Sequence, residues 1–189
     1  MEKYNLEKTY STLNLREQNL SGIEFELCVF KDCDFTKADF SMSNFLDCEF
    51  ENCNFSMVKL ANTGIQSAKF KDCKMLGVDF SRCKDFLLSF RFESCKIDYS
   101  SFHGKKISKT VFISCSLKEA NFVDTDLSAS VFKDTDLSAS VFNQTNLEKA
   151  DLREAYGFII DPEINKLKAA KFSANGLPGL LMKYGIKVE

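Results

Sequence analysis

The 189-residue sequence contains few of the residue patterns on which enzyme active sites depend. Its single histidine, His103, stands beside Gly104 without a second titratable group of matching geometry, so it is a poor general acid or base. The eight glycines are scattered, and there is neither a Walker loop nor a Gly-x-Gly-x-x-Gly fingerprint. We therefore expect a protein that is not an enzyme and that has no catalytic residues, metal or cofactor.

Long apolar runs and a strong net charge are also missing. No segment approaches the roughly 18 consecutive apolar residues of a membrane-spanning helix. The first residues, MEKYNLEKTY, lack the apolar stretch of a signal peptide. The formal net charge of −2 disfavours non-specific nucleic-acid binding. These features predict a cytoplasmic protein that binds neither a membrane nor nucleic acid directly.

The sequence does contain a repeat of five residues. A large apolar residue returns at every fifth position between Leu15 and Leu152, with one slip of phase, and 15 of the 19 phenylalanines follow it. This period fits neither an α-helix nor a flat strand. A small residue usually stands two positions earlier, so both would point inward from an extended segment, and turn-forming residues follow. Five residues thus form one short edge and one corner.

Four such edges would close a coil of roughly 20 residues, and successive coils would pair at about 4.8 Å. Inward residues 20 positions apart would then stack into core ladders, including Phe30, Phe50 and Phe70, and Phe102, Phe122 and Phe142. We predict an all-β solenoid of about seven to eight coils over residues 15–173. Residues 81–91 hold two extra residues and predict a bulge or small loop. Which of Phe86, Leu87 and Leu88 points inward stays open.

All eight cysteines occupy the inward position two before a large residue. Stacked positions about 4.8 Å apart with parallel Cβ vectors are too distant for a disulfide. The sequence has no Cys-x-x-Cys pair, which is the spacing typical of a structural zinc site. We therefore expect reduced thiols that fill the core, in preference to a metal site or a disulfide framework. Lys105 is also at an inward position, where it either reaches water or marks a distortion.

The two ends depart from the repeat. Residues 1–14 predict a cap that joins the first coil, with Tyr4, Leu6 and Tyr10 as anchors. Residues 174–189 predict a helix that starts at Pro178 and ends at Gly185, followed by a short strand containing Ile186 and Val188. This helix either only covers the last coil or also pairs with its twofold copy in an end-to-end homodimer. In such a dimer, Met182 and neighbouring apolar residues would contact the second chain.

The units ADFSM, CEFEN, CNFSM, ANFVD, TDLSA and ADLRE resemble the pentapeptide-repeat family, whose fold is a right-handed quadrilateral β-helix. The off-register stretch DFSRCKDFLLSFRFESC and the ending KFSANGLPGLLMKYGIKV are similar to Qnr-type fluoroquinolone-resistance proteins. This resemblance implies a head-to-head dimer that mimics DNA, binds DNA gyrase and topoisomerase IV, and relieves quinolone inhibition. The dimer contact would then comprise Leu177, Leu180, Leu181, Met182, Tyr184 and Ile186. Many Qnr-type proteins have longer loops, and loop-free gyrase-binding relatives tend to inhibit, so protection and inhibition both stay open.

Candidate partner-binding residues fall in two groups. Glu24, Glu26 and Asp47 are expected to cluster on one face, with Lys106 and Lys109 farther along it, and Arg82, Lys84 and Asp85 belong to the off-register segment. Val111, Ile113 and Val131 are expected to point outward. They either form an apolar strip that contacts a partner, or are present only because β-branched residues favour the strand conformation. The first functional hypothesis is a rod that mimics DNA and occupies the DNA-binding saddle of a type II topoisomerase. A non-catalytic scaffold with a partner unrelated to DNA is the second, and an enzyme with an unrecognised site is the third.

Overall fold

Among residues 1–186, which a computed structural model describes, the chain forms fifteen short strands of two to four residues. Every strand pairs in parallel with strands of neighbouring coils. The strands are β1 Tyr4–Leu6, β2 Thr9–Ser11, β3 Glu24–Glu26, β4 Val29–Lys31, β5 Asn44–Leu46, β6 Glu49–Glu51, β7 Gly64–Gln66, β8 Ala68–Lys71, β9 Phe90–Glu93, β10 Val111–Ile113, β11 Val131–Lys133, β12 Thr135–Asp136, β13 Asp151–Leu152, β14 Ala155–Tyr156 and β15 Lys171–Phe172.

The pairing confirms the predicted right-handed quadrilateral solenoid. One sheet of nine strands runs the length of the molecule in the order β2-β4-β6-β8-β9-β10-β11-β13-β15. A second sheet, β1-β3-β5-β7, covers a neighbouring side of the first coils, and β12 pairs with β14. Paired residues are 20 apart, as in Phe30 and Phe50, but 22 apart across the slip, as in Phe70 and Phe92.

Corners recur every fifth residue because the backbone there enters the left-handed region, for example at Lys37, Met42 and Asp47, with φ of 58°, 62° and 50°. The corner N–H groups donate to carbonyls of the next coil, as Met42 does to Ala61 at 2.8 Å. These inter-coil bonds offset the conformational strain of non-glycine residues at the turns. The square outline is therefore held by hydrogen bonds between coils.

The core is a set of stacked side-chain ladders. The rings of Phe30 and Phe50 are 5.1 Å apart and tilted by 10°, and those of Phe50 and Phe70 are 4.8 Å apart and tilted by 9°. Rings of neighbouring ladders meet edge to face, as Phe30 and Phe35 do at 76°. The first ladder continues through Phe92, Phe112 and Phe132, and another runs through Phe80, Phe102, Phe122 and Phe142.

The solenoid pairing begins at Tyr4, inside the segment 1–14 that the sequence predicts to be a cap. Tyr4 and Leu6 are 49% and 43% exposed and point outward, so of the three predicted anchors only Tyr10 packs on the core, 5.0 Å from Phe30. Asn5 is buried between the two outward side chains because side chains alternate along a strand. Its amide donates to Glu2 O and Glu24 O and accepts from Tyr10 Oη, which closes the core with polar contacts.

The C-terminal end carries the one α-helix among the described residues, α1, Pro178–Leu181, between 3₁₀ turns at Ala174–Gly176 and Met182–Tyr184. Pro178 is at its start, and Gly185, with φ of 65°, follows the last turn. Gly179 lies so close to Phe158 that a Cβ atom at this position would collide with the Phe158 carbonyl oxygen. No helix in residues 1–186 is long and apolar enough to span a bilayer. The predicted strand at Ile186 and Val188 lies largely outside the described residues.

Candidate interaction surfaces

The slip is a bulge on the side of the molecule that β1, β3, β5 and β7 form, which we call face 1. In regular coils two inward residues flank one outward residue on this face, as Thr63 and Ile65 do, both buried. In the bulge the inward residues are Cys83 and Leu88, so four residues stand between them. Phe86 and Leu87 are 72% and 60% exposed, whereas Leu88 is buried. The bulge therefore presents an apolar tip, Phe86–Leu87.

Lys105 of the next coil holds this bulge. Its side chain is only 8% exposed, and Nζ donates to Cys83 O at 2.7 Å and to the Asp85 carboxylate at 2.6 Å. The aliphatic part of the Lys105 side chain occupies the inward position, and its ammonium binds the first residues of the bulge. Lys105 thus marks the local distortion, and it does so as a buried cation with two acceptors.

Side chains around the bulge connect it to the earlier coils. Lys84 Nζ donates to Asn44 Oδ1 at 3.0 Å, across two coils, and the Ser67 N–H donates to Ser89 Oγ at 2.8 Å. A 3₁₀ turn, Phe80–Arg82, precedes the bulge, and the Asp79 side chain caps it. The tip is therefore anchored on both sides.

Face 1 brings together most of the candidate partner-binding residues. Glu24 and Glu26 flank the inward Phe25 on β3, and Asp47 occupies the corner after β5. Lys84 continues the column of Glu24, since its N–H donates to Thr63 O, and Asp85 follows it in the bulge. Arg82 lies at the preceding corner, where Nε contacts Asp79 at 3.4 Å, so it borders this face.

The C-terminal half of face 1 carries lysines. Beyond the bulge, residues of this side are joined by isolated bridges in the order Lys106, Asp126, Asn146 and Lys166. Lys109 occupies the corresponding corner, with φ of 61°, and bonds to Ser128 O. The sign of the charge therefore changes along this face, and a continuous acidic stripe does not form on it.

Face 2, the nine-stranded sheet, has charges of both signs. Lys31 pairs with Glu51 at 3.1 Å, and Lys69 pairs with Glu49 at 2.8 Å, each between adjacent coils. These long side chains line an open groove of about 620 Å³. Such exposed pairs contribute little to stability. They also neutralise each other, so this groove has no dominant sign.

The outward valines and isoleucine lie on face 2. Val111 pairs with Val131, but Arg91 and Asp151 are their next neighbours on either side. Ile113 lies between Glu93 and Lys133. All three apolar side chains are half-buried. The apolar strip is therefore only two coils long.

The C-terminal end exposes apolar side chains around the capping helix. Leu180 packs against the core and Leu181 is half-buried, whereas Leu177, Met182, Tyr184 and Ile186 are 47–56% exposed. Tyr156, Ile159 and Met182 line a cavity of about 330 Å³. The six residues predicted for a dimer contact thus divide into Leu180, which packs on the core, the half-buried Leu181 and four residues that face solvent.

Ion pairs fix the last turn beside this apolar surface. Lys183 Nζ lies 2.6 Å from both Asp161 and Glu163, and the Tyr184 hydroxyl donates to Glu163 at 2.9 Å. Hydrogen bonds to Lys183 lower the pKa of both carboxyls, and the hydrogen bond to Glu163 raises the pKa of Tyr184. These contacts hold the 3₁₀ turn to the segment that precedes the final coil.

The residues with catalytic potential are dispersed. All eight cysteines are buried free thiols, and burial raises the pKa of Cys48 and Cys83 to about 12. His103 is exposed, as expected for a corner residue. Within residues 1–186 no group of three or more His, Cys, Asp or Glu side chains could hold a metal ion.

Family models match most of the solenoid. A pentapeptide-repeat-region model matches residues 43–112, and a model of eight pentapeptide repeats matches residues 13–45 and 130–156. Together these matches cover well over half of the chain. The chain belongs to the pentapeptide-repeat family. No curated protein sequence gives a significant match.

Solved structures share the fold of this pentapeptide-repeat protein over nearly its whole length. One trypsin-treated variant of QnrB1, a plasmid-mediated fluoroquinolone resistance protein, has 19% identity and a TM-score of 0.66, with 98% of this chain and 100% of that chain covered. A second trypsin-treated QnrB1 variant has 21% identity and a TM-score of 0.68, with coverage of 98% and 90%. At this identity the likeness establishes the fold.

Two features of this pentapeptide-repeat protein, the buried Asn5 and the exposed tip of the bulge, cannot be found by analysis of the repeat. Asn5 continues the inward register below Leu15, but a polar residue gives no periodic signal. Phe86 and Leu87 are as apolar as Leu88, so hydropathy cannot show which of them leaves the core. The partner that would identify the bulge, Lys105, is visible in sequence only as a cation at an inward position.

Proposed function

We propose that this protein is a non-enzymatic, Qnr-like rod that binds DNA gyrase or topoisomerase IV in the cytoplasm and changes the response of the enzyme to quinolones. The observation that carries the proposal is the match of 98% of the chain to QnrB1 variants, which are described as fluoroquinolone resistance proteins. The off-register bulge and the short capping helix at the C-terminus agree with it.

The charge pattern favours contact with protein surfaces over mimicry of DNA along the whole rod. Duplex DNA has a uniform negative backbone. Face 1 changes sign along its length, and face 2 pairs its charges internally. This observation also supports the second candidate function, a scaffold whose partner has no connection with DNA topology.

A supercoiling assay tests the proposal. Purified gyrase is incubated with relaxed plasmid and the protein at micromolar concentrations, with and without ciprofloxacin. We expect the protein either to preserve supercoiling in the presence of the drug or to inhibit it without the drug. A Phe50→Asp variant, which places a charge in the Phe ladder and should not fold, controls for effects unrelated to the folded protein. If folded protein changes neither reaction, the topoisomerase proposal fails and the scaffold remains.

We also propose that two chains associate end to end through the C-terminal apolar surface. Met182 lies beside Tyr156 and Ile159 around one cavity, and Leu177, Tyr184 and Ile186 are exposed on the same terminal segment. A twofold copy at this end would bury these apolar side chains. Sedimentation of Met182→Glu should give the mass of one chain, whereas Met57→Glu, at an equally exposed Met far from this end, should keep the mass of two. A wild-type monomer, or a Met182→Glu dimer, would exclude this interface.

A further inference from the structure

The N-terminal half of face 1 has a negative net charge, and the Lys84 ammonium reaches Asn44 at its border. It consists of residues 4–7, 24–27, 44–47 and 64–67, which pair along β1, β3, β5 and β7 and their following corners. These four segments contain Glu7, Glu24, Glu26 and Asp47 and no Lys or Arg, a formal charge of −4. Of these, Glu7, Glu24 and Asp47 are exposed.

The C-terminal half of the same face is basic. It consists of residues 106–109, 126–129, 146–149 and 166–169, which hydrogen-bond from coil to coil. These segments hold five lysines against one Asp and one Glu, a formal charge of +3, and within the described residues none of the five lysines takes part in a salt bridge. The lysines are Lys106, Lys109, Lys149, Lys166 and Lys168.

The apolar tip stands at the boundary between the halves. Phe86 is among the most exposed large apolar residues of the molecule, and Lys105 fixes the bulge from inside through Cys83 O and Asp85. An exposed aromatic residue on a bulge that a buried lysine holds in place is pre-organised for insertion into a pocket, because less conformational freedom is lost on binding.

We propose that face 1 is a directional docking surface for a folded protein. The partner presents, in order along the solenoid axis, a basic region, an apolar pocket and an acidic region. Complementary charges at the two ends set the orientation in which the tip enters the pocket. Duplex DNA does not fit, since its charge is of one sign, and neither does a uniformly basic DNA-binding channel.

This docking surface rests on the proposed function, since it is the surface by which the protein would bind gyrase. Gyrase is therefore the probe in the test. Binding of purified gyrase to the immobilised full-length protein is measured at low and physiological salt. The polarity variant Glu24→Lys, Asp47→Lys, Lys106→Glu, Lys109→Glu keeps the net charge of the chain, but it brings the acidic half from −4 to 0 and the basic half from +3 to −1. The tip variant is Phe86→Ser, Leu87→Ser. The control, Lys31→Glu with Glu51→Lys, reverses an ion pair on face 2 without changing the net charge.

We expect the polarity and tip variants each to bind at least tenfold more weakly, and the control to bind within twofold of wild type. Thermal unfolding followed by circular dichroism verifies that every variant is folded. If wild type binds gyrase and the folded polarity and tip variants bind equally well, the inference is wrong and the proposed function stands. If wild type does not bind, both are wrong. Binding of a DNA duplex that the lysine replacements abolish would also overturn the docking surface.

Discussion

At the scale of single residues, the corners hold the backbone in a strained conformation. Each corner requires a left-handed conformation, which costs an L-residue about 1–2 kcal/mol relative to the usual backbone regions. Ala139 adopts φ of 58° there, whereas Gly77 provides a φ of 63° without strain. A Cβ on Gly77 would meet only Met57 Cγ, at 3.9 Å, so the position has space but the wrong conformation for alanine.

We predict opposite effects for the two exchanges at these corners. Gly77→Ala should lower the free energy of unfolding by roughly 1 kcal/mol, and Ala139→Gly should raise it by a smaller amount, since glycine also loses more entropy on folding. Urea denaturation of both variants measures this. Stabilisation by Gly77→Ala would show that the corners are not strained.

The buried thiols predict a dependence of stability on pH. Burial raises the pKa of Cys48 from an ordinary value near 9 to about 12, so the folded state holds the proton more tightly than the unfolded state. The contribution of such a thiol to the free energy of unfolding is complete below pH 9. It is lost as the pH rises toward 12, at about 1.4 kcal/mol per pH unit for each thiol.

Cys48→Ala isolates one thiol. Alanine already occupies the next position of this ladder at Ala68, which is fully buried, so the variant should fold. The free-energy difference between wild type and variant, from urea unfolding at pH 7, 9 and 10, should shrink above pH 9. A difference that stays constant with pH would mean that the Cys48 thiol does not contribute in this way.

At the scale of elements, the bulge depends on a side chain from the following coil. Lys105→Met should keep the apolar stem and remove the ammonium, which leaves Cys83 O without its donor. Since Asp85 is exposed, we expect overall stability to change by only about 1 kcal/mol or less while the bulge loosens. Trypsin should then cleave after Lys84 much faster than in wild type, and Lys106→Met should not have this effect. Equal cleavage rates would show that Lys105 does not hold the bulge.

The elements also show what can be deduced from sequence. The coil follows from the period of the large and small residues, because identical packing repeats at every step. The slip is visible as two extra residues, but three successive apolar residues leave its direction open, and Lys105 decides it through a contact 20 residues away. The first coil is missed because Asn5 is polar and makes its inward contacts by hydrogen bonds.

At the scale of the whole molecule, the coils contact chiefly their neighbours, with the bond from Lys84 to Asn44 across two coils as an exception. Stability should therefore be close to a sum of coil and interface contributions. The ladders require that stacked residues match. Phe112 stacks on Phe132 at 5.0 Å, and Phe122 on Phe142 at 5.2 Å, while leucines occupy the ladders between them. The stability of the solenoid should therefore depend more on whether an insertion or deletion is a multiple of 20 residues than on the number of residues in the chain.

Two deletions test this periodicity. Removal of residues 113–132 takes out one complete coil, joins Phe112 to Lys133 and leaves every later residue in its own ladder and on its own face. Removal of residues 113–127 is shorter, but it turns the remaining chain by one corner, so phenylalanines stack on leucine ladders and the capping helix meets the wrong side. Overpacking and cavities of this kind cost about 1–3 kcal/mol per site.

In thermal unfolding, the 20-residue deletion should melt cooperatively and at a temperature well above that of the 15-residue deletion, although it retains fewer residues. The opposite order of melting temperatures would mean that the ladders tolerate mismatch and that register does not determine which side chains share a face.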